Sequence, residues 1–456
     1  MRFNKTAADR DTSWRRCYFE KMNTPINRRK FLAGIGSVAA FSILPNRVLA
    51  SSPNGRLQIA QIGVGNRGKG NRSALMRLPN MDIVALCDVD RNYLAEAKAE
   101  VPGAATFSDY RKMMDAMADR IDAVLVCTPD HMHAPISTLA MEAGKHVYCE
   151  KPLAHNVVEN RQLRLLAEER NLVTQLGIQV SATIAQRMTV EYIRGGLIGK
   201  VSEVHVWSNK KWGRDEAIPA SSNRVPDSLD WGLWLGVADE RLYREDAFHP
   251  GQWRRLLDFG TGTLGDMGVH IFDTPYRALE LGAPRWVRSE CRPPNGFGHP
   301  LSVKAEYLFP STRYTTRSLK WVWYDGDSAP PSRIEGFNED GAVKLPSQGC
   351  VMIGEKGTLM MPHMSGPQTF PRELIRSVPR PELDPIDHHG QWVDACLGKG
   401  KPGSPFSFGG PLCEALQLGV VASRYPGRKL NWNPSRMKIT NLPEANQYLS
   451  RKYRVF

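Results

Sequence analysis

"LQIAQIGVGNRG", residues 57–68, sets a short, mainly apolar run directly against three glycines. The run reads as a buried strand. Gly63, Gly65 and Gly68 at this spacing permit a tight turn, close approach of the backbone to a pyrophosphate, and tight packing of the following helix. Asn66 and Arg67 lie inside the turn, at a helix N-terminus whose partial positive charge stabilises phosphate. Alone, such a glycine pattern also fits a phosphate-free turn. Asp88 strengthens the reading, because it ends the next apolar run twenty residues after Gly68. A carboxylate there can accept hydrogen bonds from the ribose hydroxyls of NAD. It would repel a 2′-phosphate, and Val89 and Asp90 separate it from Arg91, so NAD is favoured over NADP.

Working outward, "DIVALCD", "IDAVLVCTP", "KHVYCEKP" and "NLVTQLG" repeat the strand pattern, and amphipathic stretches such as "RNYLAEAKAEV" and "VVENRQLRLLAEER" separate them. Apolar strands alternating with helices predict a parallel sheet covered on both faces, an α/β Rossmann domain over residues 51–178. After Gln179 the pattern changes. A helix in "ATIAQRMTVEYIRGG" leads to "GKVSEVHVWSNKKW", which alternates as an antiparallel strand does. Further strands are expected in "PRWVRSECR", "SVKAEYLFP", "TTRSLKWVWYDG", "GAVKLP" and "CVMIGEKGTLMMP", and helices in "DHHGQWVDACLGKG" and "GPLCEALQLGVVASRYPG". Residues 179–456 therefore read as an α+β domain with an open, mainly antiparallel sheet, and the Trp-rich stretch 207–253 as a loop region packed by aromatics.

The chain of 456 residues carries a net charge of +13, but ten Lys/Arg against three Asp/Glu fall in the first fifty residues. No basic run with interleaved aromatics stands out afterwards, which argues against a nucleic-acid partner. "TPINRRKFLAGIGSVAAFSILPNRVLASS" pairs Arg28 and Arg29 with a moderate apolar run and ends on small residues. This is the pattern of a twin-arginine export signal over residues 1–50, with cleavage expected after Ala50 and Met22 as an alternative start. The apolar run is shorter than the roughly 20 residues that span a bilayer. The expected location is periplasmic, reached through the twin-arginine translocation machinery. Cys87, Cys127 and Cys149 close strand-like runs and read as small buried hydrophobes. Neither a metal site nor a disulfide framework is expected.

Three further motifs carry chemistry. "CTPDHMHAP" follows a strand, where open α/β sheets bind ligands. There Thr128 and Pro129 are placed to line a cofactor, and His131 and His133 are either polar contacts or a solvated loop. "CEKPLAHN" puts Glu150 and Lys151 at another strand end, where the plain alternative is a solvated pair. "GTGTLGDMGVHIFD" places Asp266, His270 and Asp273 on one helix face, so that Asp266 could fix the imidazole tautomer.

With these motifs in this order, the chain resembles the Gfo/Idh/MocA family of sugar and inositol oxidoreductases. The resemblance implies that Lys151 sits beside the nicotinamide and the reacting carbinol, and that Glu150 helps hold the cofactor. It further implies that His270 is the acid/base, that Asp266 lies beside the substrate hydroxyl, and that Gln179 and Arg254 contact cofactor or substrate. Asp273 is expected as a helix-face partner. The implied activity is NAD-dependent oxidation of a sugar, glycoside or polyol hydroxyl, within a homo-oligomer. Export adds a constraint, because outside the cytoplasm a tightly bound NAD must be recycled in place. An oxidation–elimination–addition–reduction glycoside hydrolase and a non-catalytic, NAD-containing sugar-binding protein are the alternatives.

Overall fold

Six parallel strands form the first sheet: β1 (Leu57–Ile62), β2 (Met81–Cys87), β3 (Ala105–Phe107), β4 (Ala123–Val126), β5 (His146–Cys149) and β6 (Thr174–Leu176). The computed structural model describes residues 55–218 and 221–456, so the export signal read over residues 1–50 lies outside the described residues. Strand order is β3-β2-β1-β4-β5-β6, and every pairing is parallel. The order reverses between β1 and β4, which leaves a crevice at their carboxyl ends. Both faces of β4 and β5 are buried, as their unbroken apolar sequences require. The short edge strand β3 is absent from the expectations above, since three partly exposed residues carry no periodic pattern. The intervening helices fall where the amphipathic stretches do. Asp90, Asp109 and Asn156 cap three of them by accepting hydrogen bonds from first-turn N–H groups.

The second sheet contains β7 (Val201–Ser208), β8 (Trp286–Glu290), β9 (Lys304–Pro310), β10 (Thr315–Asp325), β11 (Gln348–Gly354), β12 (Gly357–Pro362), β13 (Gln368–Phe370), β14 (Leu430–Asn433) and β15 (Lys438–Ile439). Its order is β13-β12-β11-β7-β10-β9-β8-β14-β15, antiparallel except where β7 runs parallel to β10. The helix Gly262–Ala278 lies on this sheet, with Phe272 against Trp321 and Trp323. "GAVKLP" is a loop rather than a strand. Asn338 bonds to both the N–H and the carbonyl of Val343, satisfying that backbone locally, and Leu345 packs in the cluster that contains Trp207. The Trp-rich stretch divides between β7, which holds Trp207, and an aromatic cluster of Trp231, Trp234, Tyr243, Phe248, Trp253 and Phe259. That cluster is tied to the end of β2 through Asp230 N–H to the Val89 carbonyl and Arg91 N–H to the Ser228 carbonyl, both at 2.9 Å.

Late segments return to the first lobe. The helix His388–Cys396 inserts the fully buried Trp392 edge-on against Tyr148 of β5. The helix Phe406–Ala422 lies along Val157–Glu169, joined by a two-pronged Arg161–Glu414 pair with both N···O distances 2.6 Å. A boundary at residue 178 therefore divides the sequence, while the packing is continuous. No helix among the described residues is long and apolar enough to cross a membrane.

The glycine turn gives the fold a steric test. A Cβ on Gly68 would lie 2.2 Å from the Gly63 carbonyl oxygen, which cannot withdraw without opening the turn. Gly68→Ala should lower stability by about 1–3 kcal/mol in urea unfolding. Gly103→Ala, where nothing lies within 4 Å of the added carbon, should change it by less than about 0.5 kcal/mol.

Candidate active site

A cavity of about 440 Å³ opens at the carboxyl ends of the first sheet, within the size range of small-molecule sites. Gly63, Gly65, Asn66, Arg67, Asp88, Thr128, Pro129, Glu150 and Lys151 line it from the first lobe. Trp234, His249, Trp253 and Arg254 from the second lobe close over it. Gly63 has φ +83°, and a Cβ there would meet the Cys127 carbonyl carbon at 2.6 Å. Glycine is required at that residue both by backbone angle and by space. Gly68 packs beneath the turn, as its spacing implies.

Asp88 lines the cavity with both oxygens held by backbone, Oδ2 by Val64 N–H at 2.8 Å and Oδ1 by Asp90 N–H at 2.9 Å. Burial pushes its carboxyl above the ordinary value despite these bonds. Each oxygen keeps a second lone pair for a hydroxyl donor. Arg91, the nearest following cation in sequence, directs its guanidinium to the Asp227 carbonyl. This arrangement suits ribose hydroxyls better than a 2′-phosphate. Thr128, which lines the cavity, has a buried hydroxyl with no hydrogen-bond partner among the described residues. With the bare glycine backbone, these groups fit a dinucleotide.

Glu150 is buried and surrounded by donors. Its Oε1 accepts from Arg67 Nε at 3.0 Å and from Asn71 Nδ2 and Gln179 Nε2 at 2.9 Å each, and its Oε2 from Lys151 N–H at 3.1 Å. Burial opposes its ionisation, but Arg67, Asn71 and Lys151 together outweigh that and hold the carboxyl at about 2. A Cβ on Gly177 would stand 2.8 Å from the Glu150 carboxyl carbon, so that glycine makes room for it.

Lys151 Nζ donates to Asp266 Oδ1 at 2.6 Å and to the Asp266 carbonyl at 3.1 Å. Arg254 Nε lies 3.4 Å from the same carboxylate, with its guanidinium over the Trp253 ring at 4.3 Å. Against the cost of burial, Lys151 and then Arg254 bring the Asp266 carboxyl below its usual value. The expected Asp266–His270 contact is replaced. Asp266 shares a helix face with His270, yet its carboxylate is taken by the two cations, whose charges attract it more strongly than a neutral ring. His270 is pushed down to about 3 by burial, reinforced by Lys151 and His363, and its buried Nδ1 has no hydrogen-bond partner among the described residues. It is a neutral imidazole set behind the ion pair and outside the cavity wall.

Two other expected contacts lie off the cavity. His131 is fully buried, its Nε2 at 3.2 Å from the Trp234 carbonyl and its ring edge-on to Phe259. It packs the interface between the lobes and does not line the cavity. Gln179 stands behind Glu150, bonding it and the Tyr148 hydroxyl at 2.7 Å. Asp273 pairs with Arg277 one turn on, at 2.9 Å. His133 spans two site turns, Nδ1 to the Pro152 carbonyl at 2.7 Å and Nε2 to the Thr128 carbonyl at 2.8 Å. Sequence reasoning did not single out Asn71, Tyr93, Asp130, Trp234 or His249. Of these, Asp130 lines the cavity, accepts from Thr261 Oγ1 at 2.9 Å, and is raised by burial to about 7. Its place inside "CTPDHMHAP" was the available signal. Among the described residues no group of three His, Cys, Asp or Glu side chains is arranged to hold a metal ion.

The fold and cleft define a two-lobed protein built to hold a dinucleotide against a lysine. Residues 57–178 match the NAD-binding Rossmann fold of the Gfo/Idh/MocA oxidoreductase family, and residues 193–281 match that family's C-terminal α/β domain. Both matched stretches are domains of the Gfo/Idh/MocA oxidoreductase family. It is 28% identical over 225 residues to levoglucosan dehydrogenase of Pseudarthrobacter phenanthrenivorans, covering 48% of this chain and 50% of that protein. It is 30% identical over 205 residues to an alpha-N-acetylgalactosaminidase of Shewanella oneidensis, covering 39% and 44%. The chain thus spans about half the length of these relatives. In fold it is similar to the WlbA dehydrogenase of Bordetella pertussis, solved with NADH and UDP-GlcNAcA, with TM-score 0.59, 17% identity and coverage of 83% and 99%.

Because Glu150 is more acidic folded than its ordinary 4.5, its charge stabilises the fold above that pH, and the contribution disappears as pH falls towards about 2. The shift corresponds to roughly 3 kcal/mol. Glu150→Gln should show a correspondingly shallower loss of stability across this window, measured by urea unfolding at successive pH values.

Proposed function

We propose that this protein oxidises a carbinol carbon of a sugar, glycoside or polyol with NAD, and keeps the cofactor bound so that it is recycled in place. The observation that carries the reading is the Lys151 ammonium on the cavity wall, fixed 2.6 Å from Asp266. The partial similarity to levoglucosan dehydrogenase supports a sugar-like substrate. NAD, when bound, accepts the hydride from that carbon. The protein's share is charge and position. Lys151 donates to the substrate oxygen as negative charge develops, and Asp266 keeps the amine charged and aimed. His270, a neutral imidazole one turn along the helix from Asp266, receives the hydroxyl proton by way of Lys151, since it does not itself line the cavity. Arg254 and the aromatic side chains over the mouth hold the substrate and exclude water.

A second reading has its own support in the similarity to an alpha-N-acetylgalactosaminidase. Oxidation to a ketone acidifies the neighbouring C–H, a glycosidic substituent leaves, water adds, and the ketone is reduced again. The same lysine and histidine serve that cycle, which is redox-neutral. Cleavage of an aryl glycoside without added cofactor would select it.

Retention of NAD agrees with export through the twin-arginine pathway, which moves folded proteins, and the proposal includes a periplasmic location. Changing Arg28 and Arg29 together to Lys should abolish export, read by fractionating cells for the shortened chain. For the chemistry, small molecules released from the denatured protein should include a nicotinamide dinucleotide. Lys151→Ala should cut turnover by about 10²–10⁴-fold while NADH binding changes little. A native protein that releases no dinucleotide and takes none up would falsify the reading.

A further inference from the structure

Asn71 carries a polarity requirement that reaches the far end of the chain. Glu150 is ionised and can only accept, so Asn71 must turn its Nδ2 to it, at 2.9 Å. Asn71 Oδ1 then faces away, and the group it meets is His389 Nε2 at 3.2 Å. Nε2 must therefore carry the proton. His389 also stacks on Tyr148, with centroids 5.4 Å apart and planes at 11°. The Tyr148 hydroxyl accepts from Gln179, a second donor to Glu150 Oε1. One imidazole thus backs both amides that fix this carboxylate.

The ring is itself held firmly. His389 is the second residue of the helix His388–Cys396, where Asp387 Oδ1 accepts from the His389 and Gly390 N–H groups at 2.9 and 3.2 Å. His388 Nε2 lies 3.2 Å from the Leu176 carbonyl, and Gln175 Nε2 donates to the His388 carbonyl at 2.9 Å. Trp392, three residues on and within one turn of the same helix, is buried against Tyr148. The facing titratable groups are Asp387, His388, Tyr148, Arg67, Arg77 and Glu150. Residue 389 lies beyond both stretches that match the family domains.

We propose that His389 is a positioning residue for the dinucleotide site: its Nε2–H orients Asn71, and through Asn71 the cofactor-side carboxylate Glu150 and its partner Arg67. This rests on the NAD reading above. A segment some 240 residues away in sequence, by the numbering of Glu150 and His389, thereby sets the inner wall of the cleft.

The test separates the hydrogen bond from the packing. His389→Phe keeps a ring on Tyr148 but removes the donor, and His389→Gln restores a donor near the Nε2 position. Affinity for NADH is read by titration of protein fluorescence, since Trp234 lines the cavity. The Phe variant should bind NADH about 3–10-fold more weakly, the worth of one hydrogen bond, and the Gln variant within about twofold of the native protein. In an Asn71→Leu background, His389→Phe should add nothing further, because the effect passes through Asn71. A crystal structure of the Phe variant should show the Asn71 amide turned from Glu150. Native-like binding by the Phe variant, equal loss by Phe and Gln, or additive losses with Asn71→Leu overturn the proposal while leaving the NAD site standing. Failure of the native protein to bind NADH overturns both.

Discussion

The Lys151–Asp266 ion pair is the contact on which the site depends. Lys151 follows β5 of the first sheet, and Asp266 stands on the helix that lies on the second. Removing an ion from water costs several kcal/mol unless a partner replaces the lost hydration, and each of these groups supplies part of that replacement for the other. The pair thus ties the two lobes together beside the cleft. Arg254 and the Trp253 ring complete the arrangement from the second lobe.

The remainder of the cleft repeats this logic. Glu150 is kept as an anion by a cation and two amides, while Asp130 accepts from a threonine hydroxyl and is pushed by burial up to about 7. Outside the cavity lining, the imidazoles are driven the other way, His131 and His270 being held neutral by burial. Neighbouring groups with divided protonation preferences are what proton transfer at neutral pH requires. The site thus owes its chemistry to where each group is buried as much as to which groups are present.

Much of the first lobe was legible because its strands are short apolar runs and its helices keep their amphipathic period. The glycine turn, Asp88, Thr128, Glu150 and Lys151 all fall at strand ends, and the sheet topology carries strand ends to one crevice. The second lobe was legible as a class but not in detail. "GAVKLP" looked like a strand and is a loop, since the Asn338 side chain supplies the bonds a sheet neighbour would have given. His131 looked like a cofactor contact because its motif lies at the cleft, but its ring points into the packing of Trp234 and Phe259.

By itself the sequence determined a Rossmann lobe, the type of cofactor its turn and carboxylate can hold, and the lysine, aspartate and histidine available for chemistry. Those follow from local spacing, which neighbouring residues along the chain enforce. Only the tertiary structure decided which charges pair. Asp266 chose Lys151 and Arg254 over His270, and Asn71 joined Glu150 to His389. Such choices depend on distances between segments far apart in the chain, and spacing within one segment does not encode them.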